Sequence, residues 1–279
     1  MLLSAVDQEE NVVFIKKLKG FSGCDISLYI DKQQDRKFVR KVSSCVEYNS
    51  RLKKQMEKQI NFNDEILKTP KIYGTGFDEG KFYFDMEFIR GVTFHNFIST
   101  NSADNIFYIF QKIMKFLSYD NFIENDFTKL VNKKIEVLKL KVDSCFYKYL
   151  DYCREYDWKN ISSSNSHGDL TFENIIIYNS EIYLIDFLDS FIETKYIDYS
   201  KLLQDLILGW SWRNNASSSP FIKRMFLYNK LFENLDKHEI EILKRLFVLS
   251  ILRIIPYADK GTLGFLKNRL IYIEGKFEI

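Results

Sequence analysis

Proline is scarce in this sequence, with 3 in 279 residues, and glycine is little commoner, with 11. So few breakers leave little chain that reads as flexible linker. There are 3 histidines and 4 cysteines. Cys24, Cys45, Cys145 and Cys153 form no C-x-x-C pair, so a zinc site is not expected. A chain of this size does not need a disulfide scaffold either, and reduced thiols, mostly buried, are expected. The net charge is only +2, without the basic excess that marks a nucleic-acid binder. Lys16-Lys17 and Lys133-Lys134 are short pairs and read as solvated faces. Long apolar runs are also missing. Residues 246–256 are apolar, but the stretch is short and interrupted by Arg253, and cannot span a bilayer. The first residues, MLLSAVDQEEN, lack a basic region followed by a long apolar core, so they do not read as a signal peptide. These absences lead to the expectation of a cytoplasmic, soluble protein with no membrane or nucleic-acid partner.

What is present is ordinary for a globular chain: 46% apolar and 28% charged residues. The length allows one large domain or two lobes with a sizeable core. The first third reads as short strands at 11–19, 26–31 and 37–42, a helix at 48–62, and strands at 71–77 and 81–89. In the helix, Leu52, Met56 and Ile60 recur at helical spacing among charged residues. After Gly91 the pattern turns helical: 93–99, 103–118, a long segment over 127–158, then 198–212, 220–235, 238–255 and 262–274. There is no internal repeat and no low-complexity segment. An α+β protein is expected, with a sheet-rich lobe over 1–89 and a mainly helical lobe over 90–279. Ligands tend to bind where such lobes meet.

The helical half is interrupted by SHGDLTFENIIIYNSEIYLIDFLDS, residues 166–190. It reads as a loop feeding a hairpin that turns at Asn179-Ser180. Asp169, Asn174 five positions later and Asp186 at the end of the hairpin are three polar groups aimed at one small volume. An Asn and an Asp oxygen suit Mg²⁺ that also carries substrate phosphates. The remaining carboxylate, Asp169, can accept a proton from an attacking hydroxyl. Phosphoryl transfer needs this division of labour. His167 is expected to brace the loop by hydrogen bonds. Two other patterns are set aside. GFDEGK, residues 76–81, has the wrong spacing for a P-loop and Phe82 where a metal-binding Ser or Thr would stand, so it is a hairpin turn. DFLD, residues 186–189, places its second Asp one position too far for a phosphatase nucleophile motif.

The Asp, the Asn five positions on and the later Asp resemble the protein-kinase-like fold. The form His167-Gly168-Asp169 with a short hairpin is similar to its aminoglycoside phosphotransferase and choline kinase branch, and the likeness runs over about residues 12–205. The resemblance implies a bilobal protein-kinase-like fold: a small antiparallel-sheet N-lobe with one helix and a larger, mainly helical C-lobe. It also implies ATP and Mg²⁺ as cofactors and a small-molecule hydroxyl as acceptor. Lys41 would hold the nucleotide phosphates, and Glu57 on the following helix would pair with Lys41. Gly20, Ser22 and Gly23 would form the turn over the phosphates, although the full G-x-G-x-x-G is lacking. Met86 would back the adenine pocket, with the Glu87 carbonyl and the Ile89 N–H as hinge contacts. Asn174 and Asp186 would bind metal, and Asp169 would be catalytic.

Candidate acceptor residues are Glu173, Asp189, Asp205, Trp210, Trp212 and Arg213. Asp198 is expected to cap the start of the helix that carries it. The near-neutral charge favours a neutral or zwitterionic acceptor over a polycation: a sugar first, an amino alcohol such as choline or ethanolamine second. A kinase-fold nucleotide-binding module without turnover is the other reading. A protein substrate is disfavoured, because helix resumes within about ten residues of Phe187 and leaves no room for an activation segment.

Overall fold

The computed structural model describes residues 11–18, 20, 23–118, 123–215, 218–233 and 235–279. In chain order its main elements are β1 (Val12–Lys17), β2 (Asp25–Asp31), β3 (Arg36–Val42), α1 (Asn49–Asn61), β4 (Leu67–Lys68), β5 (Ile72–Asp78), β6 (Lys81–Glu87) and β7 (Val92–Thr93). Then come α2 (Phe94–Thr100), α3 (Ala103–Ser118), β8 (Glu124–Asn125), α4 (Thr128–Lys139), α5 (Tyr147–Arg154), β9 (Ile161–Ser162), β10 (Ile175–Tyr178) and β11 (Glu181–Leu184). The chain closes with α6 (Lys195–Leu203), α7 (Phe221–Phe232), α8 (Lys237–Leu252) and α9 (Lys260–Phe277). It divides into two compact units: the described residues up to Gly91 with Tyr178–Asp189, and Val92–Ile177 with Ser190–Ile279.

The first unit is built on a five-stranded antiparallel sheet in the order β1-β2-β3-β6-β5. Strand alternation sorts its side chains. Phe82, Phe84 and Met86 of β6 are buried with Ile26, Leu28 and Val39 against Leu52 and Met56 of α1. Residues of the opposite register, Arg40 and Asp85, form a two-pronged ion pair at 2.7 and 2.8 Å, with Arg40 over the Tyr83 ring. Glu79 and Gly80 both have positive φ, which suits the tight turn from β5 to β6. The GFDEGK segment is therefore hairpin, as its spacing implied. In the same unit β11 pairs in parallel with β4.

On α1 the buried face is Leu52, Gln55, Met56 and Gln59. Ile60, which the apolar spacing put inside, is 55% exposed. The helix is turned so that two glutamines face inward, because each has a partner there. Gln55 donates to the Tyr48 hydroxyl, and Gln59 donates to the Pro70 carbonyl.

The second unit is helical. The long helical segment expected over 127–158 is two helices, α4 and α5, joined through Asp143, whose extended backbone starts a short 3-10 turn at Ser144–Phe146. The break lets Val142 bury. Helix α6 has all nine of its residues buried and runs on into a wide π turn at Gln204–Leu208. That turn ends at Gly209, with φ of +69°, where an added Cβ would meet the Arg224 guanidinium at 3.0 Å. Arg224 in turn donates to carbonyls of the π turn at Asp205, Leu206 and Ile207. A short antiparallel pair joins β7 to β10 (Val92 to Ile177, Thr93 to Ile176). Among the described residues, no helix is long and apolar enough to cross a membrane.

Candidate active site

The loop at 166–174 is held from beneath by α6. Asp198, fully buried, accepts from the His167 N–H at 2.6 Å and the Gly168 N–H at 2.8 Å. Asp198 therefore does not cap its own helix. It lies a turn inside α6, where Thr194 is the N-cap residue, and its carboxylate is spent on the loop. Gly168 sits at φ of +88°, a conformation that side chains resist. Upstream, Ser166 donates to Glu193. His167 Nδ1 accepts from the Asp169 N–H at 3.2 Å, which leaves the imidazole as a brace within the loop.

These bonds aim Asp169. Asn174 donates through Nδ2 to the Asp169 carbonyl at 2.8 Å and to Asp169 Oδ2 at 3.1 Å. The other oxygen, Oδ1, takes an ion pair from Lys201 Nζ at 3.0 Å. Burial pushes the Asp169 carboxyl toward the neutral form, but the Lys201 charge and hydrogen bond outweigh it, and the net effect holds Asp169 below the usual carboxylate range. The group is an anion with both oxygens engaged and about a quarter of its side chain exposed. With Nδ2 turned to Asp169, the Asn174 amide oxygen points the other way, as a hard donor.

In the first unit, Lys41 stands on β3 opposite Ile26 of β2 and Phe84 of β6. It is 2% exposed and pairs with Asp186 Oδ1 at 2.8 Å. Burial alone would push the ammonium down; the Asp186 charge and hydrogen bond reverse this, and Lys41 is held above the ordinary lysine range. Asp186 has φ of +61°, in the left-handed region that Asp tolerates better than most residues. The next residue, Phe187, is buried against Phe62, and Lys58 donates to the Leu188 carbonyl. The two residues that follow Asp186 are thereby held in place. Among the described residues no three His, Cys, Asp or Glu side chains form a metal-binding group. Asp186 in the first unit and Asn174 in the second each offer a hard oxygen of the kind that Mg²⁺ takes beside phosphate and water.

Glu57 is not brought to Lys41. It lies on the exposed face of α1, and the carboxylate on Lys41 is Asp186. The helix face turned inward carries the amides Gln55 and Gln59 instead. Gln59 reaches Met86 Sδ, and Met86 is buried on β6. Glu87 donates its N–H to the Lys71 carbonyl, and its carboxylate accepts from the Lys71 N–H. Ile89 follows, buried. Gly23 has φ of +75°, and a Cβ at Gly20 would meet the Ile26 side chain at 2.6 Å. Ser22 lies outside the described residues.

The acceptor candidates separate. Glu173 and Arg213 pair at 3.0 Å, and the Arg213 guanidinium lies 4.3 Å over the Trp210 ring, so these three form one cluster. Trp212 is core: it is buried, donates to Ser99 and meets Phe172 and His95 edge-on. Asp205 is also withdrawn from any substrate. It is fully buried and accepts the Phe172 N–H at 2.6 Å and the Ser211 N–H at 2.7 Å. Burial raises its carboxyl to about 6 despite those bonds. Asp189 is exposed in the first unit. Lys201 was missed by sequence reasoning. The signal available was a lysine one turn after Asp198 in a helix otherwise poor in exposed positions.

No protein-family model matches this chain, and no curated protein does. Solved structures do. A candidate fructosamine-3-kinase from Haemophilus somnus 129PT superposes with a TM-score of 0.55 at 14% identity, covering 95% of each chain. An ethanolamine kinase from Plasmodium vivax gives 0.52 at 14% identity, over 98% of this chain and 84% of that one. The streptomycin–ATP–APH(2")-IIa ternary complex gives 0.53 at 14% identity, over 98% of both chains. The chain thus has the protein-kinase-like fold that these structures share.

Proposed function

We propose that this protein is an ATP-dependent phosphotransferase acting on a hydroxyl of a small molecule, with a sugar as the first candidate. The observation that carries the reading is Asp169: a carboxylate held ionised, with one oxygen on Asn174 and the other on Lys201, in a loop pinned by Asp198. In the reaction the acceptor oxygen bonds to the γ-phosphorus, the bond from phosphorus to the β–γ bridging oxygen breaks, and ADP leaves. Asp169 orients the acceptor hydroxyl and takes its proton. Lys41 exchanges Asp186 for the nucleotide phosphates. Asn174 and Asp186 would hold Mg²⁺, which when bound neutralises charge on the phosphates. Backbone groups of 87–89 would receive the adenine, with Met86 behind it. Gly20 and Gly23 would leave the backbone free to approach the phosphates, with Ser22 between them.

The acceptor wall on this reading is Glu173, Trp210 and Arg213. Because Arg213 already covers a face of Trp210, that ring is a poor seat for a quaternary ammonium, and a polyol that hydrogen-bonds to Glu173 and Arg213 is favoured over choline. ADP release with MgATP across hexoses, ethanolamine, choline and nucleosides tests this. Turnover is expected on a polyol, and Asp169→Asn should lower it by roughly 100- to 10,000-fold. Wild-type turnover in Asp169→Asn would sink the assignment. A thermal shift with MgATP but no ADP from any acceptor would leave a nucleotide-binding module.

A further inference from the structure

Resting on the phosphotransferase reading, we infer that Lys201 is a positioning residue for the transfer step: together with Asn174 it locks the rotation of the Asp169 carboxylate and offsets its charge. Lys201 is nine-tenths buried in a helix whose nine residues are all buried. An ammonium there is expensive to desolvate, and an apolar side chain would be the more stabilising choice for packing alone. Its carboxylate partner is Asp169, the one group of the loop that the chemistry needs ionised.

The arrangement is specific to one helix turn. Asp198 and Lys201 lie three residues apart on α6, which puts them on the same face. Asp198 takes the backbone N–H groups of His167 and Gly168, while Lys201 takes the side chain of Asp169. One face of α6 therefore fixes both the path of the loop and the aim of its carboxylate. With Oδ1 on Lys201 and Oδ2 on Asn174, the carboxylate cannot rotate without breaking one of two contacts. Small displacements of a catalytic group cost large factors in rate, so a fixed Asp169 should appear in kcat and not in nucleotide affinity.

The test is a double-mutant cycle of wild type, Lys201→Met, Asp169→Asn and the combined variant, with Lys201→Arg as the conservative control. ADP formation from MgATP is followed with water as acceptor and with D-glucose, D-galactose and ethanolamine. Lys201→Met should lower kcat by roughly 100-fold with KM for ATP nearly unchanged, and Lys201→Arg should recover part of the loss. In the Asp169→Asn background, Lys201→Met should change nothing further, because its target is gone. A Lys201→Met enzyme with kcat within about threefold of wild type overturns the inference, and so does a loss that adds in full to that of Asp169→Asn. If Lys201→Met does not fold, the combined variant, which removes both charges, is compared with Asp169→Asn, and a further fall in rate overturns the inference. Absence of ADP from the wild type overturns the phosphotransferase reading and takes this inference with it. ADP from the wild type with an indifferent Lys201→Met overturns this inference alone.

Discussion

Replacing Asp198 by alanine should both destabilise the protein and disable it. In the wild type the carboxylate accepts two backbone N–H groups, from His167 at 2.6 Å and Gly168 at 2.8 Å, and neither Asp198 nor His167 has exposed surface. Hydrogen bonds to a charged acceptor contribute roughly 1.5–3 kcal/mol each. Removing the acceptor strands both donors where water has little access, so the loss should be about 3–6 kcal/mol. For a chain of this size that corresponds to a fall in melting temperature on the order of 10 °C. Asp198→Asn keeps one oxygen but turns an amide NH2 toward the other N–H, so it should lose about half as much. Urea unfolding of the three proteins, followed by tryptophan fluorescence, gives the free energies, and ADP release reports whether the loop still aims Asp169. A loss below about 1 kcal/mol in Asp198→Ala, or undiminished turnover, would refute the claim that this carboxylate organises the loop.

The pH response of Asp205 can be given a sign. Its folded carboxyl is raised from 3.8 to about 6, so its contribution is fully present below about pH 3.8 and is lost as pH rises through about 6. Two units at 1.36 kcal/mol each make about 3 kcal/mol. Measured as wild type minus Asp205→Asn in urea, the stability difference should therefore shift against the wild type by about that amount between pH 4 and pH 7.5. A flat difference would show that the group is not buried as described. The thiols should also divide. Cys24 and Cys153 are buried and Cys45 and Cys145 exposed, and burial pushes the Cys153 thiol well up. A thiol-reactive dye should titrate Cys45 and Cys145 in the native protein and all four after unfolding. Fast native labelling of Cys153 would contradict the packing of α5.

Strands and tight turns were legible because their signals are local. Alternation in KFVRKV and KFYFDME, with Glu79-Gly80 between strands, places β3, β5 and β6 within a residue or two of where they lie. The phase of α1 was not legible. Apolar spacing chose Leu52, Met56 and Ile60, yet Gln55 and Gln59 are inside because Tyr48 and Pro70 offer them partners from elsewhere in the chain. The same turn of the helix exposes Glu57, so the acidic partner expected for Lys41 stands on the wrong face. The break between α4 and α5 was hidden for a similar reason, since it depends on burying Val142 and on no proline or glycine.

By itself, the sequence determined which chemistry is on offer: an Asp, an Asn and an Asp at fixed offsets, a lysine on the third strand, and an antiparallel sheet followed by helices. Spacing along the chain carries that much, because backbone geometry converts it directly into faces and turns. Tertiary structure decided the partners. Lys41 went to Asp186 and not to Glu57, Asp198 to the loop and not to its own helix end, and Asp205 to two backbone N–H groups and not to a substrate. Lys201, 32 positions from Asp169 in sequence, reached its carboxylate only because α6 is packed beneath the loop. Partner choice rests on which charges burial leaves without water, and burial is a property of the folded chain.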